Sequence, residues 1–246
     1  MKSFVKDKVI VITGGSSGFG LESARLLLEL GSKVIITGRN LEKLKLAKQD
    51  LSSENLLTVQ ADATSTEDWK ALVNQVFKKF GRLDVLVNNH GAGGKIDKLV
   101  EMTDEDIDET LNVNLSSVIR GCREVLSIMK EQKSGHIINV SSVCARYSFP
   151  SWSVYTAAKA GLVGFTKCVH LEMVEWGGKA TTVIPGGAQT GFCAAANIDS
   201  DWMVGYPTAE DFARTLVHCI DVPPSTVIQD VTVWGNQQIA DMMNPF

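Results

Sequence analysis

The apolar positions along this chain alternate between two rhythms. A β-branched run from Lys8 to Thr13 precedes a stretch of helical period, Gly20 to Leu30, with Leu21, Ala24, Leu27 and Leu28 on one face and Gly31 as its stop. The exchange then repeats, predicting a strand at Lys33 to Thr37, a helix near Leu41 to Leu51, a strand at Leu56 to Gln60, a helix at Glu67 to Phe80 entered through Thr66, and a strand at Asp84 to Val87. Thr103 stands before an acidic first turn, Asp104, Glu105 and Asp106, which suits the positive end of a helix dipole, and the helix is expected to run to about Gln132. A strand at His136 to Ser141, a helix from about Trp152 to Trp176 and a strand at Ala180 to Ile184 follow. A loop from Pro185 to Pro207, a helix at Ala209 to Ile220 and a strand near Val227 to Val233 complete the pattern.

Seven β-runs separated by helices need crossover connections, which make neighbouring strands parallel and put helices on both faces of the sheet. The expected fold class is α/β: a single doubly wound, Rossmann-type domain over residues 1–246 with a seven-stranded parallel sheet. Such sheets bind ligands beyond the carboxyl ends of their strands, so chemistry is to be sought in the loops after Thr13, Thr37, Gln60, Val87, Ser141 and Ile184.

Composition narrows the function classes. The chain is 44% hydrophobic and 21% charged with a net charge of −4, which excludes disorder as the main state and offers no basic excess for nucleic acid. No apolar run approaches the roughly 18 residues of a membrane span. The opening MKSFVKDKVIVITGG is interrupted at Thr13, Gly14 and Gly15 before signal-peptide length, so a cytoplasmic protein is expected. The five cysteines are scattered and never spaced C-x-x-C, so neither a disulfide framework nor a metal site is expected.

The first loop reads T-G-G-S-S-G-F-G, Thr13 to Gly20, between a strand and a helix. Gly14, Gly18 and Gly20 lack the Cβ atoms that would block a tight turn and the approach of a pyrophosphate, and the free N–H groups of the helix start supply donors. No Lys-Ser or Lys-Thr follows, so this is not a Walker loop. At the end of the second strand an acid would accept the ribose 2′-OH of NAD, whereas an arginine would pair with the 2′-phosphate of NADP. The segment is Thr37-Gly38-Arg39-Asn40, with no acid before Glu42, so NADP(H) is expected and NAD(H) is the alternative. Arg39 could instead be a surface residue paired with a nearby glutamate. Further along, Tyr155 and Lys159 stand four apart on one helical face, where an ammonium favours a phenolate and fits the tyrosine for general acid or base work. The strand before them ends in Ser141-Ser142, at the same carboxyl edge.

These residues together resemble the short-chain dehydrogenases/reductases. The similarity runs over nearly the whole chain: T-G-x-x-x-G-x-G at Thr13 to Gly20, Asp62, N-N-x-G at Asn88 to Gly91, Asn114 in N-V-N-L-S-S, Ser142, Y-x-x-x-K at Tyr155 to Lys159, and P-G-x-x-x-T at Pro185 to Thr190. The resemblance implies that Tyr155 transfers the proton, Ser142 holds the substrate oxygen, Lys159 binds the nicotinamide ribose and lowers the Tyr155 pKa, and Asn114 positions a water linking Lys159 to solvent. It also implies cofactor contacts from Gly14, Ser16, Ser17, Gly18, Phe19 and Gly20, from Arg39, from Asp62 and Ala63 at the adenine, from Asn89 and Gly91 at the ribose, and from Pro185, Gly186, Ala188 and Thr190 towards the nicotinamide.

Two departures stand out. The family usually has Ala where this chain has His90, and a structural role is expected for it, since Tyr155 and Lys159 already account for proton transfer. The chain's end, VIQDVTVWGNQQ from Val227 to Gln238, is more similar to relatives acting on small hydroxy acids and aldehydes. Substrate contacts are expected from Gly93 and Gly94, from Cys144 to Trp152, and from the loop Gly187 to Tyr206, where Tyr147, Phe149, Trp152, Phe192, Trp202 and Met203 could line a pocket. No base is evident for a nucleophilic Cys144, and Arg146 could meet an anionic substrate or lie on the surface. The expected function is an NADP(H)-dependent carbonyl reductase or alcohol dehydrogenase. Its rivals are an NAD-linked secondary-alcohol or hydroxy-acid dehydrogenase and a non-catalytic dinucleotide-binding regulator. By resemblance the chain is expected to form homodimers or homotetramers through its long helices.

Overall fold

The computed structural model describes residues 3–188, 190–195 and 203–243. Its strands are β1 (Val9–Thr13), β2 (Lys33–Gly38), β3 (Leu56–Gln60), β4 (Val85–Asn88), β5 (Gly135–Val140), β6 (Gly178–Pro185) and β7 (Asp230–Val233). Its helices are α1 (Gly18–Glu29), α2 (Leu41–Leu51), α3 (Thr66–Phe80), α4 (Asp104–Leu111), α5 (Ser117–Glu131), α6 (Ser153–Val174), α7 (Gly191–Ala195), α8 (Ala209–Ile220) and α9 (Asn236–Met243). All seven strands are parallel, in the order β3-β2-β1-β4-β5-β6-β7. The order reverses between β1 and β4, and it is at such a switch that the following loops part and leave a crevice.

The strands are apolar on both sides because both sides are covered. Ile10 and Ile12 of β1 and Ile36 of β2 pack with Ala24 and Leu27 of α1, Leu44 of α2 and Leu216 of α8. Val9, Val11 and Ile35 turn the other way, onto a layer holding Trp69 of α3, Val118 and Cys122 of α5, and Leu162 and Met173 of α6. Period-two alternation within one strand thus feeds two cores.

Several boundaries differ from expectation. Ser65, not Thr66, caps α3, its hydroxyl accepting the Asp68 N–H at 3.1 Å. The helix expected from Asp104 to Gln132 is interrupted by a π-turn at Asn112–Ser116. Asn114 donates to the carbonyl of Thr110 at 2.9 Å and Ser117 to that of Val113 at 2.8 Å, each four residues back, and side chains that claim these carbonyls widen the backbone ladder. The final strand begins at Asp230 rather than Val227. The loop from Pro185 to Pro207 contains α7, and beyond the strands lies α9, which the apolar pattern did not reveal. α9 is held by tertiary bonds: Gln238 Oε1 accepts the Gly187 N–H at 2.9 Å, and the Tyr206 hydroxyl donates to Asp241 at 3.0 Å.

Candidate active site

The glycine loop crosses from β1 to α1 with Gly14 and Gly18 at φ +64° and +56°, left-handed values that a side chain disfavours. α1 differs from its neighbours at its start. Helices α2, α3, α4 and α8 are capped by Asn40, Ser65, Thr103 and Thr208 and carry acids in the first turn, whereas Ser17 makes no side-chain cap and the first turn of α1 holds no acid. Its N–H groups and dipole are left for an anion. Phe19 lies in the motif, but its ring packs 4.9 Å from that of Phe212 and anchors α1 to α8. The Ser16 hydroxyl lies at the edge of β2, where a Cβ on Gly38 would come within 3.3 Å of it.

At the far end of the crevice, Arg39, Gln60, Ala61, Asp62 and Asp68 line a hollow. Arg39 is exposed, Gln60 donates to its carbonyl at 2.9 Å, and the nearby Glu42 pairs with Lys45 instead. The Asp62 carboxylate closes a turn on itself, accepting the N–H and hydroxyl of Thr64, each at 2.8 Å. Partial burial pushes this carboxyl up, but the Thr64 bonds and the Arg39 charge outweigh it and leave it below its ordinary value. The Ala63 carbonyl is taken by the Trp69 indole at 2.8 Å. Asn89 sends its side chain back to the carbonyls of Thr13 and Gly14 at 3.1 and 3.2 Å, so it braces the glycine loop.

The catalytic candidates converge where β5 ends and α6 begins. Ser141 donates to the Lys159 carbonyl at 2.9 Å, while Lys159 Nζ donates to the Val140 carbonyl at 3.1 Å, so the end of β5 grips α6 at both ends of one residue. Lys159 is 3% exposed and Tyr155 6%. Burial lowers the lysine to about 8, and it pushes the Tyr155 phenol up, with the Cys144 thiol acting the same way and the Ser142 hydroxyl bond against them. Lys159 Nζ stands 5.7 Å from the centre of the Tyr155 ring. Trp152 and Phe192 flank that ring at 5.3 and 5.9 Å. Asn114 is buried in the π-turn, donating to Ala92 O at 2.8 Å and accepting the Ala92 N–H at 3.2 Å. A Cβ on Gly91 would meet Asn114 Oδ1 at 3.1 Å and Lys159 Nζ at 3.3 Å, so a side chain there would press on both.

The loop after β6 closes the site. Pro185 ends the strand beside Val233, Gly186 donates to the Val233 carbonyl at 2.8 Å, Ala188 is buried, and Thr190 faces Gly18 across the crevice. Gln189 and residues 196–202, and with them Trp202, lie outside the described residues.

The short chain dehydrogenase family matches residues 8–201 of this chain. The chain belongs to the short-chain dehydrogenases. It is 32% identical over 228 residues to an uncharacterized oxidoreductase of Staphylococcus aureus (strain USA300), covering 92% of this chain and 96% of the relative. Among solved structures it resembles levodione reductase, with a TM-score of 0.86 at 28% identity over 96% of this chain and 99% of the other. It also resembles the closed form of a serine dehydrogenase complexed with NADP+, with a TM-score of 0.88 at 25% identity over 94% and 96%.

This short-chain dehydrogenase brings the glycine loop, the Asn88–Gly91 strip, Asn114, Ser142, Tyr155, Lys159 and the Pro185–Thr190 loop to one edge of its sheet. Other expected residues turn elsewhere. Arg146 pairs with Asp230, Tyr147 stacks edge-on against Trp234 at 5.1 Å, and burial pushes the Cys144 thiol up, away from a nucleophilic state. Sequence reasoning missed Ser141, Ser117 and Gln238. Ser141 had a signal in its place beside Ser142 at the strand end, whereas the bonds of Ser117 to His90 and of Gln238 to Gly187 reach across 27 and 51 residues. Among the described residues no helix is long and apolar enough to cross a membrane, and no cluster of His, Cys, Asp or Glu side chains could hold a metal ion.

Proposed function

We propose that the protein is an NADP(H)-dependent oxidoreductase that interconverts a ketone or aldehyde and its alcohol. The observation that carries this reading is the Tyr155 phenol beside the Ser142 hydroxyl, with the buried Lys159 Nζ 5.7 Å from the centre of the phenol ring. A dinucleotide fits the residues present: the bare N-terminus of α1 suits its pyrophosphate, and a side chain at Gly91 would fill the space beside Lys159 and Asn114. When bound, it supplies or accepts the hydride. Gly14, Ser16, Ser17, Gly18, Phe19 and Gly20 would hold the pyrophosphate, Phe19 by its backbone alone. Asp62 and Ala63 would flank the adenine, Asn89, Gly91 and Lys159 the ribose, and Pro185, Gly186, Ala188 and Thr190 the nicotinamide end.

Ser142 holds and polarises the substrate oxygen, and Tyr155 delivers the proton to it or takes it away. Burial keeps the phenol protonated at neutral pH, which suits it as the acid in the reductive direction. Lys159 supplies positive charge beneath the ring, and Asn114, fixed at both ends of its amide, would order a water beside Gly91. Arg39 favours NADP(H): it lies at the end of β2, exposed, with no ion-pair partner among the described residues, as a 2′-phosphate ligand should. The free cysteines accord with a reducing, cytoplasmic setting. The whole chain serves as one catalytic domain, associating as a homodimer or homotetramer, with selectivity left to the loop at 187–206. Turnover of ketones, aldehydes, hydroxy acids, sugars and steroids, followed by nicotinamide absorbance with NADPH and NADH in parallel, tests this reading. Reduction of a carbonyl faster with NADPH supports it, and no turnover across the panel overturns it.

A further inference from the structure

His90 leaves the end of β4 at the switch point, beside the end of β1. The Thr13 hydroxyl oxygen, 1% exposed, accepts the backbone N–H groups of Asn89 at 3.1 Å and of His90 at 3.3 Å, and it lies 2.6 Å from His90 Nδ1. The opposite nitrogen, Nε2, lies 2.8 Å from the Ser117 hydroxyl. Proton counting settles the directions. The Thr13 oxygen already accepts two N–H groups, so the proton in its 2.6 Å contact with Nδ1 is its own; the neutral ring then carries Nε2–H, and Ser117 accepts it while giving its own proton to the Val113 carbonyl at 2.8 Å. Nδ1 is then the acceptor, and the Thr13 hydroxyl donates to it. This chain of bonds requires a neutral imidazole. Burial, helped by the Lys159 and Arg39 charges and only partly opposed by Asp62, lowers His90 to about 3 and keeps it neutral.

Two residues further on, Ala92 is bonded through both its N–H and its carbonyl to Asn114. The strip from His90 to Ala92 is therefore stitched twice to the π-turn region, once by His90 to Ser117 and once by Ala92 to Asn114. Gly91, between the stitches, is the residue that faces Lys159 Nζ.

We propose that His90 is a positioning residue for the reaction: its imidazole bridges Thr13 to Ser117 and so holds Gly91, Asn114 and the Lys159 ammonium in register with the glycine loop. The proposal rests on the oxidoreductase reading above. His90 acts through Thr13 and Ser117, not on the substrate. Its removal leaves each hydroxyl an acceptor, since Thr13 also lies 3.3 Å from the Val87 carbonyl and Ser117 keeps that of Val113. Folding therefore loses little when the bridge is cut, and the loss falls on registration.

The test compares His90→Leu, which fills the space without bonding, with His90→Gln, which keeps an N–H for Ser117, and with Ser117→Ala, which cuts the bridge from its other end. His90→Ala serves if the leucine variant folds poorly. Steady-state kinetics are read as kcat and its pH profile, alongside thermal midpoints. His90→Leu and Ser117→Ala should each lower kcat about tenfold, with a displaced pH limb and a thermal midpoint near that of the native protein, as expected for one lost bridging bond. The double variant should be no worse than either single one, and His90→Gln should recover most of the rate. In the free protein, nitrogen NMR of the imidazole should show a neutral Nε2–H ring from about pH 5 to about pH 9. A histidine that titrates in that range, an unaffected kcat in His90→Leu, or independent effects of His90→Leu and Ser117→Ala would each overturn the proposal. A native protein without turnover overturns the oxidoreductase reading and the positioning role together; a turning-over protein indifferent to His90→Leu overturns the role alone.

Discussion

Lys159 and Val140 are joined by a 3.1 Å bond from the ammonium to the carbonyl, formed where β5 gives way to the loop carrying Ser142. The bond aims a buried charge along the carboxyl edge of the sheet without neutralising it. A charge so placed has a thermodynamic signature that does not depend on substrate.

The signature lies in alkaline stability. Burial lowers Lys159 from 10.5 to about 8, so between those values the unfolded chain holds a proton that the folded chain has released. The contribution of Lys159 to stability then rises with pH across that window, by up to about 3 kcal/mol taken alone. The raised phenol of Tyr155 acts oppositely, because above its ordinary value of 10.0 the unfolded chain loses a proton that the folded chain keeps. The thiols of Cys122, Cys144, Cys193 and Cys219, all pushed up from 9.0 by burial, oppose the rise as well, so the net gain should be confined to about pH 8 to 9. Urea denaturation of the free protein at several pH values should show this rise, and Lys159→Met should flatten it; a Lys159→Met profile parallel to the native one would contradict the assignment.

The proposed preference for NADP(H) over NAD(H) rests on Arg39. If its guanidinium meets a 2′-phosphate, Arg39→Ala loses a charge-assisted bond, raising the NADPH KM roughly ten- to a hundredfold and leaving that for NADH nearly unchanged. Equal effects on both cofactors would assign Arg39 to the surface.

Gln238 ties α9 to the loop after β6, proposed to set substrate selectivity, through the Gly187 N–H. Gln238→Ala should raise the KM for the carbonyl substrate several-fold, by freeing that loop, while leaving NADPH affinity unchanged. Fluorescence titration of NADPH beside substrate kinetics distinguishes the two, and a change confined to NADPH would refute the assignment.

What could be read from the chain depended on how far each residue's partner lies in sequence. The strands and the doubly wound class follow from local periodicity, and the glycine loop is legible because its conformation is a property of Gly14 and Gly18 themselves. Tyr155 and Lys159 declare themselves by lying one helical turn apart. The π-turn at Asn112–Ser116 has no such local signature, for it is widened by Asn114 and Ser117, and Asn114 is also held by Ala92, 22 residues earlier. His90 was visible as a departure, but its bridge needs Ser117, 27 residues away. α9 is short and carries an exposed Ile239, so its pattern is faint, and Gln238 and Asp241 tie it to Gly187 and Tyr206, 51 and 35 residues earlier.

The proposed reaction turns on proton transfer through Tyr155. The most direct measurement is carbonyl reduction by Tyr155→Phe, with NADPH binding followed by fluorescence on the same preparation. A fall in kcat of roughly 10²- to 10⁴-fold is expected with NADPH affinity unchanged, since only the phenolic oxygen is lost. Native turnover in Tyr155→Phe would contradict it.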